Sequence, residues 1–178
     1  MTPISYHPLL AALLQDWHET LGDDFTAYHN HCYRVLNYFS AFHPEATTED
    51  LDKVAVALAY HDLGIWTHHT LDYLDPSAEL ARIWLAEHGH EDWSHDVAVM
   101  IAQHHKVRSY RPNALADAFR KADWTDFTQG ARRFGLAYAD VRQVQKGFPN
   151  AGFHARLAQL GVRRMLTDPL HPLPMFRL

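Results

Sequence analysis

The sequence predicts an all-helical, single-domain bundle of roughly seven or eight helices, and three observations carry that prediction. Apolar residues recur at helical spacing through most of the 178 residues. The period-two alternation that a half-buried strand needs is missing over any useful length. Capping residues, glycines and prolines fall where the periodic stretches stop. With 47% apolar residues, the chain can fill one core without a disulfide framework, and its single cysteine, Cys32, excludes an intrachain disulfide.

Helices are expected, in order, over residues 3–17, 26–42, 49–63, 77–88, 93–105, 113–128, 138–146 and 153–166. Thr47 with Asp50 has the form of a capping box before the third of these. Gly64 and Gly89 stand where a glycine ends a helix, and Pro44, Pro112 and Pro149 fall between elements. The domain is expected over 1–167. The proline-dense tail 168–178, beginning Asp168-Pro169-Leu170-His171-Pro172, is expected as an extended arm that lies on the body or on a second copy.

Charge and hydropathy exclude several classes of function. A net charge of −5 gives no global positive field for polymeric nucleic acid. No run of eighteen apolar residues and no basic-then-apolar leader is present, so neither a membrane span nor a signal peptide is expected. The cysteine usage fits a reducing, cytoplasmic compartment. Fifteen histidines raise the expectation of a transition-metal site without locating it.

Helical spacing locates it. Residues at i, i+3, i+4 and i+7 share a helix face. In the second helix Tyr28, His31, Val35, Tyr38 and Phe42 form one stripe, which turns His31 inward and His29 away. Leu51, Val54, Ala55, Leu58 and Asp62 do the same in the third, with His61 beside them. Val97, Met100, Ile101 and His104 follow in the fifth, with His105 one turn beyond Ile101. Leu115, Ala118, Phe119, Ala122 and Asp123 follow in the sixth. Taken singly, each histidine reads as a core group satisfied by its neighbours. Two buried aspartates are harder to satisfy, because an unpaired carboxylate in apolar surroundings costs several kcal/mol or takes a proton. One divalent cation among these side chains resolves both, and nitrogen and oxygen donors together suit Mn, Fe, Ni, Co or Zn.

These residues, in this order, resemble the HD superfamily of metal-dependent phosphohydrolases. The matching stretches are His31-Cys32-Tyr33-Arg34-Val35, Tyr60-His61-Asp62-Leu63-Gly64, Ile101-Ala102-Gln103-His104-His105 and Arg120-Lys121-Ala122-Asp123, and the likeness spans about residues 26–128. It implies an HD-type helical bundle in which His31, His61, Asp62 and Asp123 bind the first ion, with His104 or His105 matching a position used for a second. The other histidine usual for a second ion is not obvious in Leu74-Asp75-Pro76-Ser77-Ala78, where Asp72 or Asp75 could substitute and His68, His69, His88 and His90 are near in sequence, so one ion and two both stay open.

The resemblance implies hydrolysis of a small phosphate ester or nucleotide by metal-activated water. Where other members carry a glutamate or lysine after the doublet, this chain has Ile65 and Trp66, so acid–base work falls to a histidine: His68, His69, His104 or His105. Arg34, three residues past His31, is expected at the site or on a carboxylate there. Lys106 and Lys121 could attract phosphate, Trp66 or Tyr110 could stack on an organic group, and His154 at a helix start could close over an anion. Each of these also has an ordinary reading as a solvated charge, core aromatic or cap. The alternatives are a diiron oxygenase acting on a phosphonate or polyol, a hydratase of a small nitrile-like molecule, and a non-catalytic metal- or nucleotide-binding domain. Self-association is left open.

Overall fold

The computed structural model describes residues 2–167, which are all-helical with no strand among them. Eight helices have nine residues or more: α1 (Pro8–Asp16), α3 (Phe25–Phe42), α4 (Thr48–Tyr60), α6 (Leu74–Glu87), α7 (Ser94–Gln103), α8 (Ala114–Phe127), α9 (Tyr138–Gly147) and α10 (Phe153–Thr167). Two single-turn helices, α2 (His18–Leu21) and α5 (Gly64–Thr67), join them. None is long and apolar enough to cross a membrane. The expected arm, 168–178, lies outside the described residues.

At the centre runs α3, buried on every side from His31 to Phe39, with α8, α4 and α9 packed around it. A helix that is apolar all round belongs inside a bundle rather than on its surface. Around it, α4 packs on α1, α6 and α7, and α7 on α8. The four stripes read from the sequence therefore face one another, and the histidines and aspartates they carry come together.

Local chemistry sets the boundaries. Thr47 and Asp50 form the reciprocal capping box that opens α4. Gly89, at φ +72°, ends α6, and the His90 N–H reaches back to the Leu85 carbonyl at 2.8 Å. The first helix starts later than the expected residue 3, because Pro8 takes the first helical position and the His7 ring accepts the Leu10 N–H. The chain before it is extended, and Asn37 on α3 bonds both backbone groups of Ile4.

Gly64 departs from expectation. It does not stop the chain in a left-handed conformation. It opens α5, and it is a glycine because of space: a Cβ there would stand 2.7 Å from the Tyr73 carbonyl oxygen and 3.0 Å from Ser77 Oγ, which accepts the Gly64 N–H. Gly64→Ala is therefore expected to destabilise the protein by about 1–3 kcal/mol, since a backbone atom must yield. Urea denaturation measures it, and an unchanged midpoint would refute the close approach.

Candidate metal centre

Three imidazoles reach the same point, and each has one ring nitrogen already committed. His61 follows Leu58 by three residues at the end of α4, so its Nδ1–H donates to the Leu58 carbonyl at 2.9 Å. His104 follows Ile101 by three at the end of α7, and its Nδ1–H donates to the Ile101 carbonyl at 2.7 Å. Carbonyls in the last turn of a helix have no partner within the helix, so each histidine both satisfies one and is oriented by it. His31, in mid-helix, has no such carbonyl and gives its Nδ1–H instead to Asp126 Oδ2 at 2.7 Å. All three Nε2 atoms are thereby left as acceptors.

Those atoms converge with two carboxylates. His31 Nε2 and His61 Nε2 are 3.0 Å apart. Asp62 Oδ2 lies 3.3 Å from His61 Nε2, and Asp123 Oδ1 lies 3.6 Å from His31 Nε2. Asp62 Oδ1 and His104 Nε2 stand 3.5 Å apart, and neither has a hydrogen-bond partner although both are buried. His105 Nδ1 is 4.0 Å from Asp123 Oδ2. Two imidazole lone pairs at 3.0 Å repel unless a cation or a proton lies between them, and two orphaned buried polar atoms have the same remedy. Side chains that share one ion through bonds of about 2.1 Å come this close. Three groups of His and Asp side chains could hold a metal ion: His31 with His61 and Asp123, His61 with Asp62 and His104, and His104 with His105 and Asp123.

Electrostatics agree with this donor set. Burial holds His31 below its ordinary pKa against the pull of Asp126, so a neutral ring donates to an ionised carboxylate. Burial alone would raise Asp126, but the His31 hydrogen bond and the Arg34 charge hold it far below the usual range. For His61 burial is outweighed by the charges of Asp62 and Asp123, and in the ion-free protein its pKa is pushed up to about 9. His105 is held well below the ordinary value, by burial first and then by His104. Burial pushes Asp123 up, whereas His61 and His104 outweigh burial at Asp62 and hold it down.

Asp126 has no place in the sequence reading, yet it organises the site. Arg34 grips it with two hydrogen bonds, Nε to Oδ1 at 2.6 Å and Nη2 to Oδ2 at 2.9 Å. The other guanidinium nitrogen donates to the Phe148 and Pro149 carbonyls. Arg34 is thus a positioning group on a carboxylate. Tyr73 was also missed: its hydroxyl contacts His105 Nε2 at 2.6 Å, just before the stretch that lacks the expected histidine.

Other expected site residues are placed elsewhere. His68 is exposed, bonded to the Thr67 hydroxyl, and His69 is exposed at φ +51°, because α5 carries the chain outward past Gly64. Lys121 pairs with Asp117 one turn away on α8, the ordinary helix-surface arrangement. Lys106 is half-buried, and its carbonyl accepts from Arg120 and Trp124. The Tyr110 N–H is held by Asp117. His154 opens α10 between the Asn150 side chain and the Asp126 carbonyl, so it ties α10 to the bundle. Trp66 stands one ring behind the centre: it lies 5.0 Å from Tyr28, which stacks on His61 at 6.0 Å. Phe153 of α10 stacks on His31 at 4.1 Å.

Compared with known proteins, the chain matches no protein-family model, no curated protein and no solved structure.

Proposed function

We propose that the chain is a metal-dependent phosphohydrolase of the HD type, acting on a small phosphate ester. The observation that carries this reading is the tautomer set: three histidines each give away Nδ1–H and turn Nε2 towards Asp62 and Asp123 in a buried centre. His31, His61, Asp62 and Asp123 would hold the ion, with His104 completing the set. When bound, the ion supplies charge neutralisation at a phosphoryl group and lowers the pKa of water.

The protein's own groups supply the rest. His105 faces Asp123 on one side and the Tyr73 hydroxyl on the other, so it is the histidine placed to pass a proton. Phe153 and Trp66 keep bulk water from the donors, which strengthens every charge interaction among them. Asp123 turns one oxygen to His31 and the other to His105, which supports a reading with a second ion held by His105 and Asp123, and with two irons the same centre would suit an oxygenase, the second reading.

Metal analysis of the purified protein, then a screen for phosphate release, tests the proposal. His61→Ala and Asp123→Asn are each expected to cut bound metal to below about a tenth of wild type, through loss of a first ligand. Full metal content in both variants overturns the site. Two irons per chain with oxygen-dependent colour decide for the oxygenase.

A further inference from the structure

The centre is closed, with all its donors 8% exposed or less, yet a cavity of about 700 Å³ lies on the far side of its aromatic wall. This cavity is bounded by α2 and the following turn, by α5 and by α10. Trp66 and Leu71 give it an apolar side continued by Leu160, and Arg156, Arg163 and Arg164 of α10 line it against Asp23 and Asp24.

Its position relative to the donors is defined by stacking. Trp66 is in the lining, and Tyr28 and His61 follow it inward in succession. Arg156 is in the lining too, and Phe153, one turn earlier on α10, lies flat on His31. On the Phe153 side one ring, and on the Trp66 side the rings of Trp66 and Tyr28, separate a ligand-sized cavity from two of the proposed ion donors.

The groups that hold this wall are themselves polar and shared. Asp24 Oδ2 accepts the Trp66 indole N–H at 2.9 Å, and the same oxygen is 2.9 Å from Arg156 Nε, which lies off the hydrogen-bond direction and is left unsatisfied. Arg156 is thus paired with Asp24 through Nε while the rest of its part-exposed guanidinium is within reach of an incoming oxyanion. At the hinge side, Ala151 and Gly152 both have positive φ, +51° and +93°, immediately before Phe153. Non-glycine strain of this kind costs about 1–3 kcal/mol and clusters where segments move.

We infer that this cavity is the recognition site for the substrate's alcohol part, and that it takes phosphate monoesters of a flat, apolar alcohol. The inference rests on the phosphohydrolase reading of the adjoining centre. The ring lies along Trp66 and Leu160, Arg156 draws in the phosphate, and Phe153 swings off His31 to let the phosphoryl group reach the donors. A cavity of this volume is of the size that holds a small organic ligand.

Calorimetry on the manganese-loaded protein, with phenyl phosphate and glycerol phosphate as probes, tests the assignment. Phenyl phosphate is expected to bind about tenfold tighter, since one ring buried on an indole is worth roughly 1–3 kcal/mol. Trp66→Leu should remove that preference, and Arg156→Gln should weaken both esters about tenfold, with bound metal unchanged in each. Should Trp66→Leu fail to fold, Leu160→Trp on the half-exposed face of α10 fills the cavity instead and should abolish binding of both probes. Equal binding of the two esters by wild type, no binding of either, or variants that bind as wild type does each overturn the inference. Cavity-dependent binding without phosphate release would refute hydrolysis and leave the recognition site standing.

Discussion

Replacing Asp126 with alanine is expected to destabilise the protein by about 3–5 kcal/mol, the range for removing one partner of a buried ion pair. The cause is the guanidinium left behind. Arg34 is 2% exposed and has both its Nε and one Nη committed to that carboxylate. Its remaining bonds, to the carbonyls of Phe148 and Pro149, satisfy donors but carry no countercharge. His31 loses its Nδ1 acceptor at the same time, so its ring is free to change tautomer and turn the wrong nitrogen to the centre. Asp126→Asn keeps one acceptor oxygen but also removes the countercharge of Arg34, so it should destabilise the protein in the same direction as the alanine change and lower metal affinity roughly 10- to 100-fold. Urea denaturation of both variants together with metal titration checks this. An Asp126→Ala protein as stable as wild type would show that the Arg34 pair contributes nothing.

The second large effect is an opposition between pH and metal. Without an ion, His61 has a pKa of about 9 against an ordinary 6.5. Its charged form contributes stability that is fully present below 6.5 and is lost as pH rises through 9, roughly 3 kcal/mol over that window. An ion needs the deprotonated ring, so apparent metal affinity should climb with pH over the same range, by about tenfold per unit. Chelator-treated protein should therefore weaken from pH 6.5 to 9.5 in denaturation experiments, whereas the stabilisation conferred by manganese should grow between pH 6.5 and 8.5. If the metal effect is flat across that interval, His61 is not a ligand.

How far the sequence alone could lead is best seen at particular residues. The stripes on α3, α4, α7 and α8 were legible because each is a local pattern, and they bring His31, His61, Asp62, His104 and Asp123 within a few ångströms. Asp126 carries a local clue, three residues past Asp123 on the same helix, just as Arg34 is three past His31. Its meaning depends on α3 packing on α8, and spacing within one helix says nothing of that. Tyr73 precedes α6 in an irregular segment, where no periodicity assigns a direction to a side chain. Gly64 was misread because a glycine at a helix end has two physical uses, a left-handed turn and a close approach, and only neighbours distant in sequence decide between them.

The anchors of the three histidines differ in how they respond to mutation. His31 depends on a side chain, and a single codon change at Asp126 can release it. His61 and His104 depend on main-chain carbonyls, which no substitution at Leu58 or Ile101 deletes. The Leu58 carbonyl also receives the Tyr28 hydroxyl and the Cys32 thiol, so several side chains would have to change before its surroundings lose their shape. A variant library should accordingly find the α4 and α7 histidines tolerant of change at the residues whose carbonyls hold them, and the α3 histidine dependent on its distant aspartate. One half of the centre is written into the backbone, and selection must keep watch over the other.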